Sequence, residues 1–377
     1  MARLRDWLDL GKSTFTSLNS EDVTNLYSLE WPETKKMLMA EHRADIELER
    51  KRWRRWVRTV SAVFFGIAKK LAPHRRLLFA ASFVAFFVCL ANLVSHAADP
   101  PLWVSVEISA TFMMMVLLLA MELIDKVKFR DELQLARDLQ ASLIPHAMPR
   151  LQRWEIAAFN RIANTVGGDI YDFVPLDDGR VAVLFGDASG HGMAAGLVMA
   201  VAHASFRTQL DVDPSPESIV GSLNRILCRT GGPRSFFSCC YFLFSPDGTY
   251  VATIAGHPPV LKLDNSGRVV ERIGRGAYPL GVKAALRWEV VSGSLASGER
   301  LLLHSDGLTE SRNLSGHEFG DAYVEVVAGW HPEAGAQSML ETLLGEWRGF
   351  MGRAIPDDDV SVAVIQFRSA AAQPPLS

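Results

Sequence analysis

Aspartates placed at the ends of apolar runs are the residues of this chain whose type and spacing suggest chemistry. The stretch VAVLFGDASGHGMAAGLVMA (181–200) closes its apolar run on Gly186-Asp187 and continues in the smallest residues available. A carboxylate beside apolar neighbours is costly unless a cation or hydrogen-bond donors meet it. The pattern recurs. ERLLLHSD ends on Asp306, and the last apolar run, DVSVAVIQF, is led by Asp358 and Asp359. GGDIYD adds Asp169 and Asp172, opened by two glycines that allow close backbone approach. In antiparallel neighbours the C-terminal end of one strand lies beside the N-terminal end of the next, so all these positions can gather on one rim.

Carboxylates a few ångströms apart repel strongly even at an effective dielectric of about 20. Divalent cations remove that repulsion, and oxygen ligands without His or Cys nearby select hard ions, Mg²⁺ or Mn²⁺, over zinc. Two such ions roughly 4 Å apart can hold a bridging water as hydroxide and bind the oxygens of a phosphate ester. The small residues after Asp187 would let the Ala188 carbonyl face a metal and leave room for a bulky substrate. Each aspartate singly also suits a helix N-cap or a turn. Their recurrence at strand ends of one domain favours the metal centre.

Competing motifs fare worse. GHGMAAG scans loosely as a dinucleotide loop with Asp211 about 20 residues on, but that acid follows a helical stretch and leads into Pro214 instead of ending a second parallel strand. GDASG puts Ser189 one place too late for a nucleophile elbow. HSDGLTE holds a single aspartate, which leaves a phosphoaspartate mechanism unsupported. His191, between two glycines, suits either a general acid or a helix start.

The elements that must position these groups begin near residue 150. Strand-like runs are EIAAFN, DIYDFVPL, RVAVLFGD, FFSCCYFLF, TYVATIAG, VLKLD, WEVVSG, ERLLLHSD and DDVSVAVIQF. Asp178-Gly179, Asp247-Gly248 and Asn265-Ser266-Gly267 are hairpin signals between them. Helical stretches are Ala194 to Leu210, Pro216 to Cys228 and about Gln337 to Met351. Strands grouped around hairpins with helices in pairs predict an α+β domain of antiparallel sheets covered by helices.

Upstream the composition changes. Leu77 to Val94 carries no charged residue, and Leu102 to Leu123 carries only Glu107 and Glu122. Both are long enough to cross a bilayer, and SHAADPP between them is a short breaker loop, so 77–123 reads as a transmembrane hairpin with spans 77–94 and 102–123. Lys69, Lys70, Arg75 and Arg76 precede it and Lys126, Lys128 and Arg130 follow it, which places both termini and the following domain on the cytoplasmic side of the membrane. Glu107 reads as snorkelling toward the outer interface. Residues 1–76 form a cytoplasmic N-terminal region, in which RKRWRRWVR (50–58) suits a membrane-surface helix. Residues 124–145 continue as a linker helix with an apolar stripe of Phe129, Leu133, Ala136, Leu139 and Leu143, ended by Pro145, and this stripe favours a homodimer. Residues 369–377 read as a flexible tail.

A formal net charge of −3, from 39 Lys plus Arg against 42 Asp plus Glu, gives no basic field for nucleic acid. The four cysteines form no CxxC pair, which argues against a zinc site or a disulfide framework.

TVGGDIYDFVPLDDGRVAVLFGDASGHGMAAGLVMA, AGHPPVLKLDNSGRVVERIGRGAYPLGV, GERLLLHSDGLTESRN and DDDVSVAVIQF, in this order, resemble the PPM-type serine/threonine protein phosphatases, in particular their bacterial SpoIIE/RsbU-like branch. The resemblance covers about 130–368, including ELQLARDLQASLIP, and places the domain at 150–368. It implies a layered β-sandwich flanked by helices, with two Mn²⁺ or Mg²⁺ ions at one end. The family's metal-binding aspartates fall on Asp169, Asp187, Asp306 and Asp358, and its bridging carbonyl on Ala188. Asp357-Asp358-Asp359 leaves the last ligand open by one residue, with Asp359 as the alternative to Asp358. The implied substrate is phosphoserine or phosphothreonine on a regulatory protein, such as an anti-sigma factor antagonist, attacked directly by the metal-bridging hydroxide. No position matches the phosphate-clamping arginine of eukaryotic relatives. The rival reading is a catalytically silent copy of the same fold that tethers a regulator at the membrane.

Overall fold

The computed structural model describes residues 73–95, 101–145, 147–163, 166–232, 235–274 and 276–368, with residues 53 and 59. The N-terminal region to 72 (those two positions apart), most of the loop between the apolar helices and the tail 369–377 lie outside the described residues. The chain divides into two compact units, Met1–Lys128 and Phe129–Ser377.

In the first unit, α1 (Pro73–Ser95) and the opening part of α2 (Leu102–Leu143) are both long and apolar enough to cross a membrane. Among the described residues, polar contacts join them near both ends. At one end Arg75 pairs with Glu122 at 3.1 Å and Asp125 at 2.6 Å. At the other, Asn92 Nδ2 donates to Glu107 Oε2 at 2.9 Å, so Glu107 has a protein partner rather than water alone. In an apolar surrounding each such pairing satisfies groups that lipid cannot.

The second unit is a sandwich of two five-stranded sheets, every ladder antiparallel. The strands are β1 (Trp154–Arg161), β2 (Ile170–Pro175), β3 (Val181–Ala188), β4 (Phe237–Phe244), β5 (Thr249–Ala255), β6 (Val260–Leu263), β7 (Val269–Ile273), β8 (Val291–Ser294), β9 (Arg300–His304) and β10 (Val360–Phe367). One sheet has the order β1-β10-β9-β6-β7 and the other β2-β3-β4-β5-β8. Alternate residues of a strand face opposite sides. Val183 and Phe185 of β3 therefore point into the core between the sheets, with Phe242, Leu303 and Ile365. Ala182 and Leu184 point outward, yet they too are buried, against Met199, Phe206 and Leu223 of α3 (Met193–Leu210) and α4 (Pro216–Thr230). On the far side Val362 and Val364 meet Leu340, Leu343 and Trp347 of α7 (Ala336–Met351), with α6 (Asp321–Ala328) alongside. Strands covered on both faces explain the unbroken apolar runs. The expected layered α+β sandwich flanked by helices is present.

Three elements escaped the sequence reading, one of them a single helical turn at Asp306–Thr309. VVERI forms β7 at a sheet edge, where three of its five residues are exposed, so it carries little apolar signal. Helix α6 is only eight residues long. The linker stripe also divides: Leu143 packs on the helix-covered face of the β2–β8 sheet, whereas Phe129 and Leu139 remain exposed, as does Leu135 beside them.

Candidate active site

Register, not sequence proximity, assembles the acidic rim. Ile170 pairs with Gly186, which sets Asp169, just before β2, opposite Asp187, near the end of β3. In the other sheet Val362 pairs with His304. Asp306, which opens the single-turn helix α5 (Asp306–Thr309) instead of ending β9, thus lies beside the Asp358-Asp359 approach to β10. One hydroxyl stitches this second pair: Ser361 N–H donates to Ser305 Oγ at 2.9 Å, and Ser305 Oγ donates to the Asp359 carbonyl at 3.2 Å.

The two pairs face one another across the sheets. Asp359 makes the link, accepting Gly168 N–H on Oδ2 at 2.6 Å and Ala163 N–H on Oδ1 at 2.8 Å. Gly168 is pressed so close to the opposite loop that a Cβ there would lie 2.7 Å from the Ala188 carbonyl oxygen and 2.9 Å from Asp187 Oδ1. Only glycine permits that approach.

Exposure grades along the site. Asp169 is buried at 2% exposure, Asp187 is half-buried, and Asp306 and Asp358 are open to solvent. Burial and the neighbouring Asp187 charge push the Asp169 carboxyl well up, opposed in part by the Ser361 and Ser305 hydroxyls. Burial, then the Asp306 and Asp358 charges, raise Asp187 to about 7. Asp358 is raised by partial burial and by Asp306 and Asp359, while its own hydrogen bond from the Asp359 amide and the nearby His191 pull it down. One oxygen of Asp169, Oδ2, is buried without a hydrogen-bond partner. Among the described residues no three acidic, His or Cys side chains already close around one point as ligands would. What is assembled is a well of mutually repelling carboxylates with an unsatisfied oxygen at its base, a site whose charge favours a cation.

Asp172 does not belong to it. This carboxylate is fully buried on the α3 side of β2, where Arg207 grips it through Nε at 2.6 Å and Nη2 at 2.8 Å and His203 Nε2 lies at 2.8 Å. The period of a strand explains the separation, since residues three apart point to opposite faces. Gln140, near the end of α2, was not legible as a site residue. Its carboxamide contacts Gly167, two residues from Asp169, and the only local signal was a polar residue in the helix turn between Leu139 and Leu143.

The sequence profile of the family described as Stage II sporulation protein E (SpoIIE) matches residues 177–368, half of the chain. The chain belongs to the SpoIIE family. The match takes in Asp187, Asp306 and Asp358 and begins just after Asp169. Among curated proteins, this SpoIIE-family chain is 25% identical over 190 residues to phosphoserine phosphatase RsbP of Bacillus subtilis, covering 49% of the chain and 47% of RsbP. It is 23% identical over 192 residues to phosphoserine phosphatase RsbU of the same organism, covering 50% and 56%. Protein IcfG of Synechocystis is 24% identical over 276 residues, covering 66% and 43%. The chain thus spans about half the length of the curated relatives it matches. Among solved structures, the SiaA-PP2C domain of Pseudomonas aeruginosa superposes with a TM-score of 0.57 at 17% identity, covering 64% of this chain and 98% of that domain. The PP2C phosphatase domain of SpoIIE from Bacillus subtilis gives 0.50 at 19%, covering 58% and 64%. At these identities the likeness establishes a PP2C-like fold.

Proposed function

We propose that the chain is a membrane-anchored, metal-dependent phosphoprotein phosphatase that removes phosphate from serine or threonine of a regulatory protein, an anti-sigma factor antagonist being one such substrate. The observation that carries this reading is the buried Asp169, with one oxygen unpartnered, at the base of a group formed with Asp187, Asp306 and Asp358. The phosphatase names of RsbP and RsbU support it.

An all-oxygen, acidic donor set fits Mn²⁺ or Mg²⁺. Asp169, Asp187, Asp306, Asp358 and the Ala188 carbonyl would hold two such ions. Bound there, the ions would supply positive charge to draw in a phosphate ester and to acidify water. Asp358 is the better ligand of the final pair, because it is open to the site while both oxygens of Asp359 accept backbone amides. Asp359 instead holds the Asp169 loop against the second sheet. Gly168 keeps the approach to Ala188 free of side chains, and the solvent-open Asp306 and Asp358 leave the mouth accessible to a protein-borne phosphate. The two apolar helices serve as the anchor, with the phosphatase domain and both termini in the cytoplasm. The exposed Phe129, Leu135 and Leu139 on the linker serve a homodimer.

The test is turnover of a generic phosphate ester and of a phosphoserine protein by the full chain with Mn²⁺, repeated with Asp187→Asn and Asp306→Asn. Metal-dependent hydrolysis lost in both variants supports the assignment. Hydrolysis indifferent to both substitutions would count against the assigned aspartate centre, and none with either substrate would favour the silent binding module.

A further inference from the structure

The Gly167 peptide lies between the end of β1 and the start of β2, where no ladder partner reaches it, yet it is buried. Its two polar groups are satisfied by one side chain. Gln140 Nε2 donates to Gly167 O at 2.7 Å, and Gly167 N–H donates to Gln140 Oε1 at 2.9 Å. A carboxamide offers the same donor and acceptor as a peptide, so Gln140 acts as a one-residue strand partner. The side chain is itself buried, at 4% exposure.

The clasped residue is wedged on its other sides. A Cβ on Gly167 would collide with the Asp359 carboxylate. The next residue, Gly168, donates to Asp359 Oδ2 and accepts the Ala188 N–H at 3.2 Å. A Cβ on Gly196 of α3 would run into the Val166 side chain. The loop carrying Asp169 is thus gripped by α2, α3, β3 and Asp359 just before β10, and among these described contacts the α2 grip is a single removable side chain that is no candidate ligand.

We propose that Gln140 is a positioning residue for the cation site: it fixes the Gly167-Gly168 backbone and thereby sets Asp169 and, through the shared Gly168 amide, Asp359. The proposal rests on the reading of Asp169 as a cation ligand. Helix docking alone would not require it, because Leu143 and Ile144 already pack this end of the helix on the sheet and a leucine at 140 would extend that contact.

The test uses the full chain in detergent micelles, with Mn²⁺ binding followed by the loss of the free-ion electron paramagnetic resonance signal and hydrogen exchange followed over residues 163–175. Gln140→Leu is expected to weaken Mn²⁺ binding by about tenfold, the lower range for removing a group that orients a ligand, and to speed exchange at Gly167 and Gly168. Gln140→Glu, nearly isosteric, keeps the acceptor and loses the donor; it covers the case in which the leucine variant fails to fold and is expected to weaken binding in the same direction. Leu143→Ala should lower the melting temperature while leaving Mn²⁺ binding within about twofold, since it removes packing and no oriented group. Unchanged Mn²⁺ binding in both Gln140 variants overturns the proposal. So does equal weakening by Leu143→Ala, which would reduce Gln140 to a docking contact. A wild-type chain that binds Mn²⁺ but hydrolyses no phosphate ester would defeat the phosphatase reading and leave this result standing.

Discussion

Asp359 Oδ2 accepts the Gly168 N–H at 2.6 Å across 191 residues of sequence, while its neighbour Asp358 faces solvent. Adjacent carboxylates thus carry different duties, one tying two loops together and the other open to the site.

Asp359→Asn should destabilise the domain by about 1–3 kcal/mol, because one of its two backbone amide donors, the buried Gly168 or the part-buried Ala163, would then face an NH₂ group instead of an acceptor. Asp358→Asn should leave apo stability unchanged or slightly raised, since it removes a repelling charge, yet abolish metal-dependent turnover. Thermal unfolding without metal, set beside phosphate-ester hydrolysis with it, separates the two. Equal destabilisation by both variants would refute the division of roles.

Cation binding should depend on pH through Asp187. Its carboxyl, raised to about 7 by burial and by Asp306 and Asp358, is protonated in the ion-free fold over a range where the unfolded chain is ionised. The folded apo state therefore holds the extra proton, and its stability falls as pH rises from near the ordinary carboxylate value through about 7. A divalent cation displaces that proton, so apparent affinity should drop by up to about tenfold per pH unit below 7. Calorimetric titration with Mn²⁺ at several pH values measures it. A flat profile between pH 5 and pH 8 would show that Asp187 does not meet the ion.

Asp172 and Arg207 should respond unequally to substitution. The carboxylate is fully buried whereas the guanidinium is 49% exposed. Arg207→Ala strands a buried charge with only His203 beside it and should cost about 3 kcal/mol. Asp172→Asn leaves a cation that can turn to water and should cost less. Denaturant unfolding of the two variants and the double variant gives the comparison, and the reverse order would contradict the burial asymmetry.

Acid should weaken the sandwich through His257. This imidazole is buried, its Nε2 has no partner, its ring stands edge-on to Phe185 at 5.3 Å, and Nδ1 lies 3.0 Å from the Pro258 carbonyl. Burial holds its pKa down to about 4, with the positive form further disfavoured by His304 nearby. The folded state binds the proton more weakly than the unfolded chain, so this contribution to stability is present above pH 6.5 and is lost as pH falls from there through about 4. At about 1.4 kcal/mol per pH unit over a difference of about 2.5 units, the full loss is on the order of 3–4 kcal/mol. Urea unfolding of wild type and His257→Leu at pH 7.5 and pH 4.5 should show a smaller acid loss in the variant.

The sequence alone determined most of the strands and helices that build the sandwich, the two apolar helices, and aspartates at or near strand ends. These are readable because apolar runs, hairpin turns and strand-end carboxylates are local patterns, each set by a few neighbouring residues. Even there β7 escaped, since an exposed edge strand needs no apolar alternation. Only the tertiary structure decided which acid does what. Asp172 and Asp169 lie in one short motif, but the strand's period turns Asp172 toward Arg207. Asp358 and Asp359 are adjacent and chemically identical, and what separates them is an amide supplied from Gly168. Gln140 looks like any polar residue on a helix until Gly167 is found without a strand partner. In each case the deciding group comes from a distant part of the chain, and the register of strands that brings it there is a property of the packed fold.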